Sequence, residues 1–424
     1  MSEPTAMTIV CDDCGTTQPE LSTRTRCTCG GLLLVRHVPA VTGDALRRRF
    51  DDACCARPSR TASGVWRFGE IVQPLAMADA VSHPEGNTPV MHRAALAAWA
   101  GIDGLVVKHE GYNPTGSFKD RGMTVAVTQA RRLGARAVAC ASTGNTSASL
   151  ASYAAQAGIP ALVFVPEGQV AMGKLAQSLA YGARTLMVRG DFDDCLRLVQ
   201  EAGDALGIYL VNSINPFRLE GQKTIVLELL RQFDWDPPDW ICLPAGNLGN
   251  TAAFGKALEE AHAWGLIPRL PRLAAIQASG AAPFAAAFSR GFDTLVPVQA
   301  ETLATAIRIG APASYRRAVR AITATNGVVL HVEDRDILEA KARIDAAGIG
   351  CEPASAAAVA GARALRASGV IQPTDRVAAI LTGHVLKDPG IVERMHGAGG
   401  LIEAPNRPVT IDPTLEAISA VIDG

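Results

Sequence analysis

A single lysine set among turn formers is the first feature with chemical promise. The stretch Glu110-Gly111-Tyr112-Asn113-Pro114-Thr115-Gly116-Ser117-Phe118-Lys119-Asp120-Arg121-Gly122 places Lys119 at the entry to a helix expected to start near Ser117 and run toward Leu133. An amine beside a helix N-terminus feels a positive partial charge, which favours its neutral, nucleophilic form. Such a lysine suits Schiff-base chemistry with an aldehyde cofactor. By itself a lysine between Phe and Asp is far more often a solvated surface residue, so the loops that join it must decide.

Two further loops are unusual. Ser142-Thr143-Gly144-Asn145-Thr146 stands between an apolar run and an alanine-rich stretch. Hydroxyls, an amide and freed backbone N–H groups at a helix start bind a carboxylate without a cation, although the same residue types also make a plain N-cap. Pro244-Ala245-Gly246-Asn247-Leu248-Gly249-Asn250-Thr251 follows another apolar run. Its two glycines let successive N–H groups converge on one anion, as in a phosphate cradle. It has neither the Gly-Lys-Ser/Thr ending of a P-loop nor the Gly-x-Gly-x-x-Gly spacing of a dinucleotide site, so a small cofactor held by one phosphate fits better. Near the N-terminus, Cys11-x-x-Cys14 and Cys27-x-Cys29, with Gly30 and Gly31 behind them, bring two thiol pairs together. Such pairs converge on one tetrahedral structural zinc, or they are reduced cysteines that merely pack. A catalytic metal is not expected, because four ligands leave no open position.

The elements that must position these groups follow from hydrophobic patterning. From about residue 104, short apolar runs alternate with alanine-rich helical stretches, which predicts an α/β protein with largely parallel sheets. Strands are expected at 137–141, 161–165, 185–188, 209–211, 240–243 and 377–381. Helices are expected through Ala157, to near Gly182, and over 193–206, 224–233 and 252–264. Ligands of such sheets sit beyond the carboxyl ends of the strands, where the two loops fall. Residues 41–85, Arg-rich and interrupted by Pro58, Pro74 and Pro84, read as an irregular lead-in.

The 424 residues exceed what one hydrophobic core sustains, so two to three units are expected. With 48% hydrophobic and 19% charged residues the chain can bury a core and is not a disordered type. Forty basic against 41 acidic residues give a net charge of -1 and no electrostatic footprint for nucleic acid or an anionic membrane. No stretch approaches the roughly 18 apolar residues of a membrane span, and the start MSEPTAMTIVCDDCG has neither the basic end nor the apolar centre of a secretory signal. A cytoplasmic location is therefore expected, where clustered cysteines more often bind metal than form disulfides.

Taken together, these segments resemble the threonine synthase family, pyridoxal-phosphate enzymes with the tryptophan-synthase-β-like fold (fold type II). The resemblance spans the cysteine knuckles, Glu85 to Pro89, Ser117 to Gly122, Ala141 to Thr146, Asn212 to Lys223, Gly246 to Asn250, Ala306 to Gly310, and Leu381 to Pro389. It implies a two-lobed α/β body (41–118 with 216–424, and 119–215) behind a zinc-ribbon-like knuckle at 1–40, assembled as a homodimer. It makes Lys119 the residue that carries pyridoxal 5'-phosphate and shuttles protons. Asn145 would meet the cofactor's ring hydroxyl, Gly246, Asn247, Leu248, Gly249 and Asn250 its phosphate, and Thr382 its pyridine nitrogen. A hydroxyl holds that nitrogen protonated less firmly than the Asp used by many pyridoxal enzymes, which implies a weaker electron sink.

The substrate implied is O-phospho-L-homoserine, converted with water to L-threonine and phosphate. Ser142, Thr143 and Thr146 would take its carboxylate, and Ser213, Arg218 and Asn247 its phosphate. Val385 after His384 and Ala311 before Pro312 depart from the family's usual glycine and Asn or Asp. The competing readings are another fold type II lyase or synthase, such as a threonine dehydratase or an O-phosphoserine-dependent enzyme, and a non-catalytic relative, against which the intact Lys119 segment speaks.

Overall fold

The computed structural model describes residues 6–55, 62–75, 77–168, 172–397 and 400–423. Its strands, in chain order, are β1 (Ala6–Cys11), β2 (Thr17–Gln18), β3 (Leu33–Val38), β4 (Val90–His92), β5 (Gly104–His109), β6 (Ala137–Ala141), β7 (Ala161–Pro166), β8 (Arg184–Val188), β9 (Ile208–Leu210), β10 (Trp240–Pro244), β11 (Arg272–Ala278), β12 (Val328–Val332) and β13 (Arg376–Leu381). They form three sheets. The first is a small antiparallel one, β2-β1-β3, which carries the cysteines at its turns. The second, β12-β11-β10-β13-β5-β4, is parallel except where β4 runs against β5 at its edge. The third, β8-β7-β6-β9, is wholly parallel.

Helices pack against both parallel sheets because their central strands are apolar on both faces. Every residue of β6 and of β10 is buried, as expected of parallel strands covered on each side. The expected α/β class holds, and the strands and helices read from patterning recur within a few residues. Among the described residues no helix is long and apolar enough to cross a membrane.

Two segments differ from expectation. The helix expected at 224–233 begins earlier, as Pro216–Gln232, with Pro216 in its first turn and the Asn215 side chain accepting from the backbone N–H groups of Phe217 and Arg218. Its residues from Pro216 to Leu230 are all buried, so it has no polar face and no amphipathic period to betray it. The lead-in at 41–85 is not irregular throughout. Gly43–Cys55 is helical, and Trp66, Phe68, Ile71 and Val72 enter the main core. Pro58 lies outside the described residues.

The helix Lys119–Arg132 crosses Pro216–Gln232 at glycines. A Cβ on Gly221 would lie 1.8 Å from the Arg121 carbonyl oxygen, and one on Gly122 would lie 2.9 Å from that of Arg218. This close approach brings the N-terminal ends of the two helices, and so Lys119 and Arg218, to one place.

A buried ionic cluster fixes the same crossing. Arg121 donates through Nε to Glu110 Oε2 at 2.6 Å and through Nη2 to Glu110 Oε1 and Glu228 Oε1, both at 2.8 Å. Lys108 donates to Glu228 and to the Thr88 carbonyl, while the Thr88 hydroxyl donates to Glu110 at 2.6 Å. Removing one member of a buried cluster strands the others without a partner. Arg121→Met should therefore lose roughly 3 kcal/mol of stability, read as a lowered urea midpoint; an unchanged midpoint would show that the cluster adds nothing to the fold.

Candidate active site

Four segments that the sequence singles out converge at the carboxyl ends of strands. The loop carrying Lys119 follows β5, Ser142–Thr146 follows β6, Pro244–Thr251 leaves β10, and Thr382 directly follows β13. Ser117 forms an antiparallel bridge with Gly383, and the Phe118 N–H donates to the Thr382 carbonyl at 3.0 Å. Lys119 is therefore stitched to the end of β13, and it is the first residue of its helix.

Asp120 holds the turn before that helix. Its carboxylate accepts from the Thr115 N–H at 2.7 Å, the Thr115 hydroxyl at 2.6 Å and the Ser149 hydroxyl at 2.5 Å. Burial raises its pKa to about 6 against the lowering effect of those bonds. The amine of Lys119 lies 4.3 Å from the centre of the Phe118 ring. Burial, then the nearby charge of Arg218, pushes its pKa down to about 7, while Glu352 pulls the other way. The helix terminus alone would favour the neutral amine, but desolvation is the larger cause here.

The loop after β10 has the form of an anion cradle. Leu248 adopts φ 63°, the left-handed region, and the helix Gly249–Ala263 starts immediately after it. First-turn N–H groups of a helix have no acceptor within it, so Gly249, Asn250 and Thr251 present theirs outward. Among the described residues Asn250 Oδ1 and Thr251 Oγ1 are buried without a partner, as is Ser117 Oγ. Ser117 and Thr251 fall inside the segments singled out in the sequence but carry no individual role there.

Arg218 is 1% exposed, and among the described residues its Nε and Nη2 have no partner, while Nη1 donates to the Val211 carbonyl at 3.1 Å. Burial pulls its pKa down to about 10, so it remains a cation at neutral pH. A buried cation without a counter-ion is costly unless something anionic joins it. Asn247 lies in the same region, donating through Nδ2 to the Ser213 hydroxyl at 2.6 Å and accepting the Ala313 N–H at 2.7 Å. The loop after β6 is anchored by Asn212, whose amide exchanges bonds of 3.1 and 3.2 Å with the Ala141 backbone. Ser142, Thr143 and Thr146 are half-buried there, and the Ser142 hydroxyl accepts the Gly144 N–H at 3.3 Å.

Glu352 went unnoticed in the sequence, since an acid ahead of a helix-starting proline is a common pattern. Its carboxylate accepts from Asn145 Nδ2 at 3.0 Å and from the Thr382 hydroxyl at 3.3 Å, so it joins two of the predicted site residues.

At the N-terminus, Cys11, Cys14, Cys27 and Cys29 place their sulfurs within 4.8 Å of one another. The Cys11–Cys29 and Cys14–Cys29 separations are 3.5 Å and Cys14–Cys27 is 3.8 Å. A tetrahedral zinc with bonds of about 2.3 Å has sulfur–sulfur edges of about 3.8 Å, so the donor set fits. The knuckle is docked by Asp12, which accepts from Arg317 Nε at 2.9 Å, and by His37, paired with Glu220 at 2.8 Å.

Comparison with known proteins bears on this site. A family described as pyridoxal-phosphate dependent enzyme matches residues 81–383. Threonine synthase of Methanocaldococcus jannaschii is 42% identical over 419 residues, covering 97% of this chain and 98% of that protein. Threonine synthase of Methanosarcina acetivorans is 48% identical, covering 85% and 87%. The structure of threonine synthase from Escherichia coli superposes with a TM-score of 0.71 at 19% identity, over 97% of this chain and 94% of that one. A tomato threonine deaminase superposes with a TM-score of 0.63 at 19% identity over 82% and 92%; at that identity both superpositions speak to the fold alone.

Proposed function

Because this chain belongs to the pyridoxal-phosphate-dependent enzymes and, within them, to the threonine synthases, we propose that it converts O-phospho-L-homoserine and water to L-threonine and phosphate. The observation that carries the substrate reading is Arg218, a fully buried guanidinium with two unpartnered nitrogens. A dehydratase acting on threonine or serine has no phosphate for such a cation to meet. Its forked donors suit a phosphate, with Ser213 and Asn247 completing the pocket. Ser142, Thr143 and Thr146 would bind the substrate carboxylate at the start of the helix Asn145–Ala157.

The residues fit the family's cofactor. The Gly246, Asn247, Leu248, Gly249 and Asn250 loop would hold its phosphate, where the Thr251 hydroxyl, buried without a partner among the described residues and able to donate, supports the reading. Asn145 would face its ring hydroxyl and Thr382 its pyridine nitrogen. Pyridoxal phosphate supplies an aldehyde for amines and a ring that withdraws electrons from the adjoining carbons. Lys119 Nζ, uncharged above about pH 7, takes a proton from the substrate Cα and then one from Cβ. The Cγ–O bond breaks with its electron pair leaving on phosphate, which Arg218 stabilises. A proton is returned to Cγ, water adds its oxygen at Cβ and gives its other proton to the departed phosphate, and a proton returned from Lys119 Nζ to Cα completes threonine. One amine making several transfers must be held rigidly, which the bonds around Asp120 and Gly383 provide.

Four expectations follow. Purified enzyme given O-phospho-L-homoserine should release threonine and phosphate in equal amounts, and O-phospho-L-serine should give no comparable product; keto acid from threonine or serine as the main activity would favour the dehydratase. Capture of pyridoxal phosphate by the cofactor-free enzyme should rise about tenfold per pH unit below pH 7 and level off above it, as the depressed amine pKa requires; a rate still climbing at pH 9 would contradict this. The knuckle should hold about one zinc per chain by atomic absorption, and a chelator should remove it with loss of thermal stability; metal-free protein of full stability would make it a packed remnant. A cytoplasmic homodimer is the accompanying reading; light scattering at the monomer mass would end the dimer.

A further inference from the structure

We infer that the cleft between the cysteine knuckle and the body of the protein is a binding site, separate from the active site, for an α-amino acid with an apolar side chain. The cleft measures about 710 Å³ with its open mouth, within the range of small-molecule sites. Its walls come from Asp12, Leu33 and Leu34 of the knuckle and from three helices of the body, Pro216–Gln232, Gly249–Ala263 and Tyr315–Ala324. Pro216 and Leu219 face the cleft, whereas Arg218 between them is not part of its walls. The two sites thus back onto one helical turn without sharing a residue.

Most charges around the cleft are spent on one another. Lys223 and Lys256 form a neutral quartet with Glu220 and Glu260, at nitrogen–oxygen distances of 2.5 to 2.9 Å. Asp12 accepts from Arg317 Nε at 2.9 Å and also from Arg320 Nη2, so two guanidiniums share one carboxylate and a positive charge is left over. Arg317 is 7% exposed; its Nη2 donates to the Leu33 carbonyl at 2.7 Å, and its Nη1 is buried without a partner among the described residues. Arg320 is exposed at the mouth, where Nη2 alone of its nitrogens has a hydrogen-bond partner among the described residues. Glu259, on the neighbouring helix, is also exposed at the mouth and feels the charge of Arg320, yet among the described residues it forms no hydrogen bond or ion pair.

Below these charges the walls are apolar, with Leu33, Pro216, Leu219 and Ala252 all buried. Surplus guanidinium charge on one helix, an unengaged carboxylate on the next and a hydrocarbon floor match a zwitterion that carries a hydrocarbon side chain. Its carboxylate meets the free N–H groups of Arg320 in charge-assisted bonds, its ammonium meets Glu259, and its side chain covers the floor. A simple anion would suit the arginines but be repelled by Glu259. An amine without a carboxylate would suit Glu259 but be repelled by Arg320.

The test is isothermal titration calorimetry of the holoenzyme with L-leucine as the probe. L-Leucine should bind saturably in the millimolar range or below, without changing the visible absorbance of the cofactor. Two halves of the probe, 4-methylpentanoate without the ammonium and 3-methylbutylamine without the carboxylate, should each bind about tenfold more weakly or worse, the worth of a hydrogen bond to a charged group. Glu259→Gln, which breaks no bond within the described protein, and Arg320→Ala, which leaves Asp12 held by Arg317, should each weaken L-leucine by a similar factor, with catalytic turnover unchanged. No saturable binding, equal binding of either half-probe, or binding that both variants retain overturns the inference. Retained binding that shifts the cofactor absorbance would place the amino acid at Lys119 instead. Should Arg320→Ala loosen the knuckle, Glu259→Gln still decides.

Discussion

Lys119→Ala should lower turnover of O-phospho-L-homoserine by on the order of 10⁴-fold or more, since one amine serves as cofactor anchor and as proton carrier. The visible absorbance of cofactor joined to lysine should vanish with it. Lys119→Arg should not rescue, because a guanidinium stays protonated and cannot accept the Cα proton. The loss should not come from unfolding. Burial lowers the amine pKa from 10.5 to about 7, so the folded chain holds this proton less tightly than the unfolded one. In cofactor-free enzyme the lysine therefore costs stability, increasingly as pH falls from 10.5 to 7 and fully below that. The alanine variant should melt no lower than wild type at neutral pH. Appreciable turnover in a folded Lys119→Ala would place the base elsewhere.

Arg218→Ala should lower kcat/KM for O-phospho-L-homoserine by roughly 10²- to 10³-fold, or about 3 to 4 kcal/mol, the range for a desolvated charge pair that loses one partner. The cost falls on the phosphorylated substrate because the cation has no carboxylate partner among the described residues. Any slow deamination of threonine should be nearly unchanged, which separates loss of the phosphate contact from general damage. Arg218→Lys should recover part of the loss through charge, and not all, since the fork is gone. Stability should hold or improve, because an uncompensated buried cation disappears. A uniform fall for phosphorylated and unphosphorylated amino acids would show that Arg218 supports the site without reading phosphate.

Much of this arrangement was legible in the residues. Lys119, Ser142 to Thr146 and Gly246 to Asn250 stand at strand-to-helix turns whose types announce themselves, and all reach one end of the parallel sheets. The strands were visible because parallel strands buried on both faces are short continuous apolar runs. The helix Pro216–Gln232 was half hidden for a related reason: buried all round, it pairs Glu220, Lys223 and Glu228 inside the protein and lacks the period that marks a surface helix. Glu352 was invisible because its meaning lies in contacts with Asn145 and Thr382, 207 and 30 residues away. The cause of the Lys119 shift was misjudged in the same way, since a local pattern reports a helix terminus and not depth of burial.

Net charge, close to neutrality, says nothing about the strongly anionic substrate proposed. Recognition falls to Arg218, a few hydroxyls and amides, and the N–H groups of two helix starts. These are too few to move the total, and most carry no formal charge.

The reaction proposed here has water adding at Cβ after the Cγ–O bond of the substrate has broken, so oxygen from solvent must enter the amino acid and not the phosphate. Turnover of O-phospho-L-homoserine in water enriched in oxygen-18, with both products analysed by mass spectrometry, tests this directly. The account predicts one labelled oxygen in the threonine hydroxyl and none in the phosphate. Labelled phosphate beside homoserine, which would mean attack at phosphorus, or a keto acid in place of threonine, would contradict it.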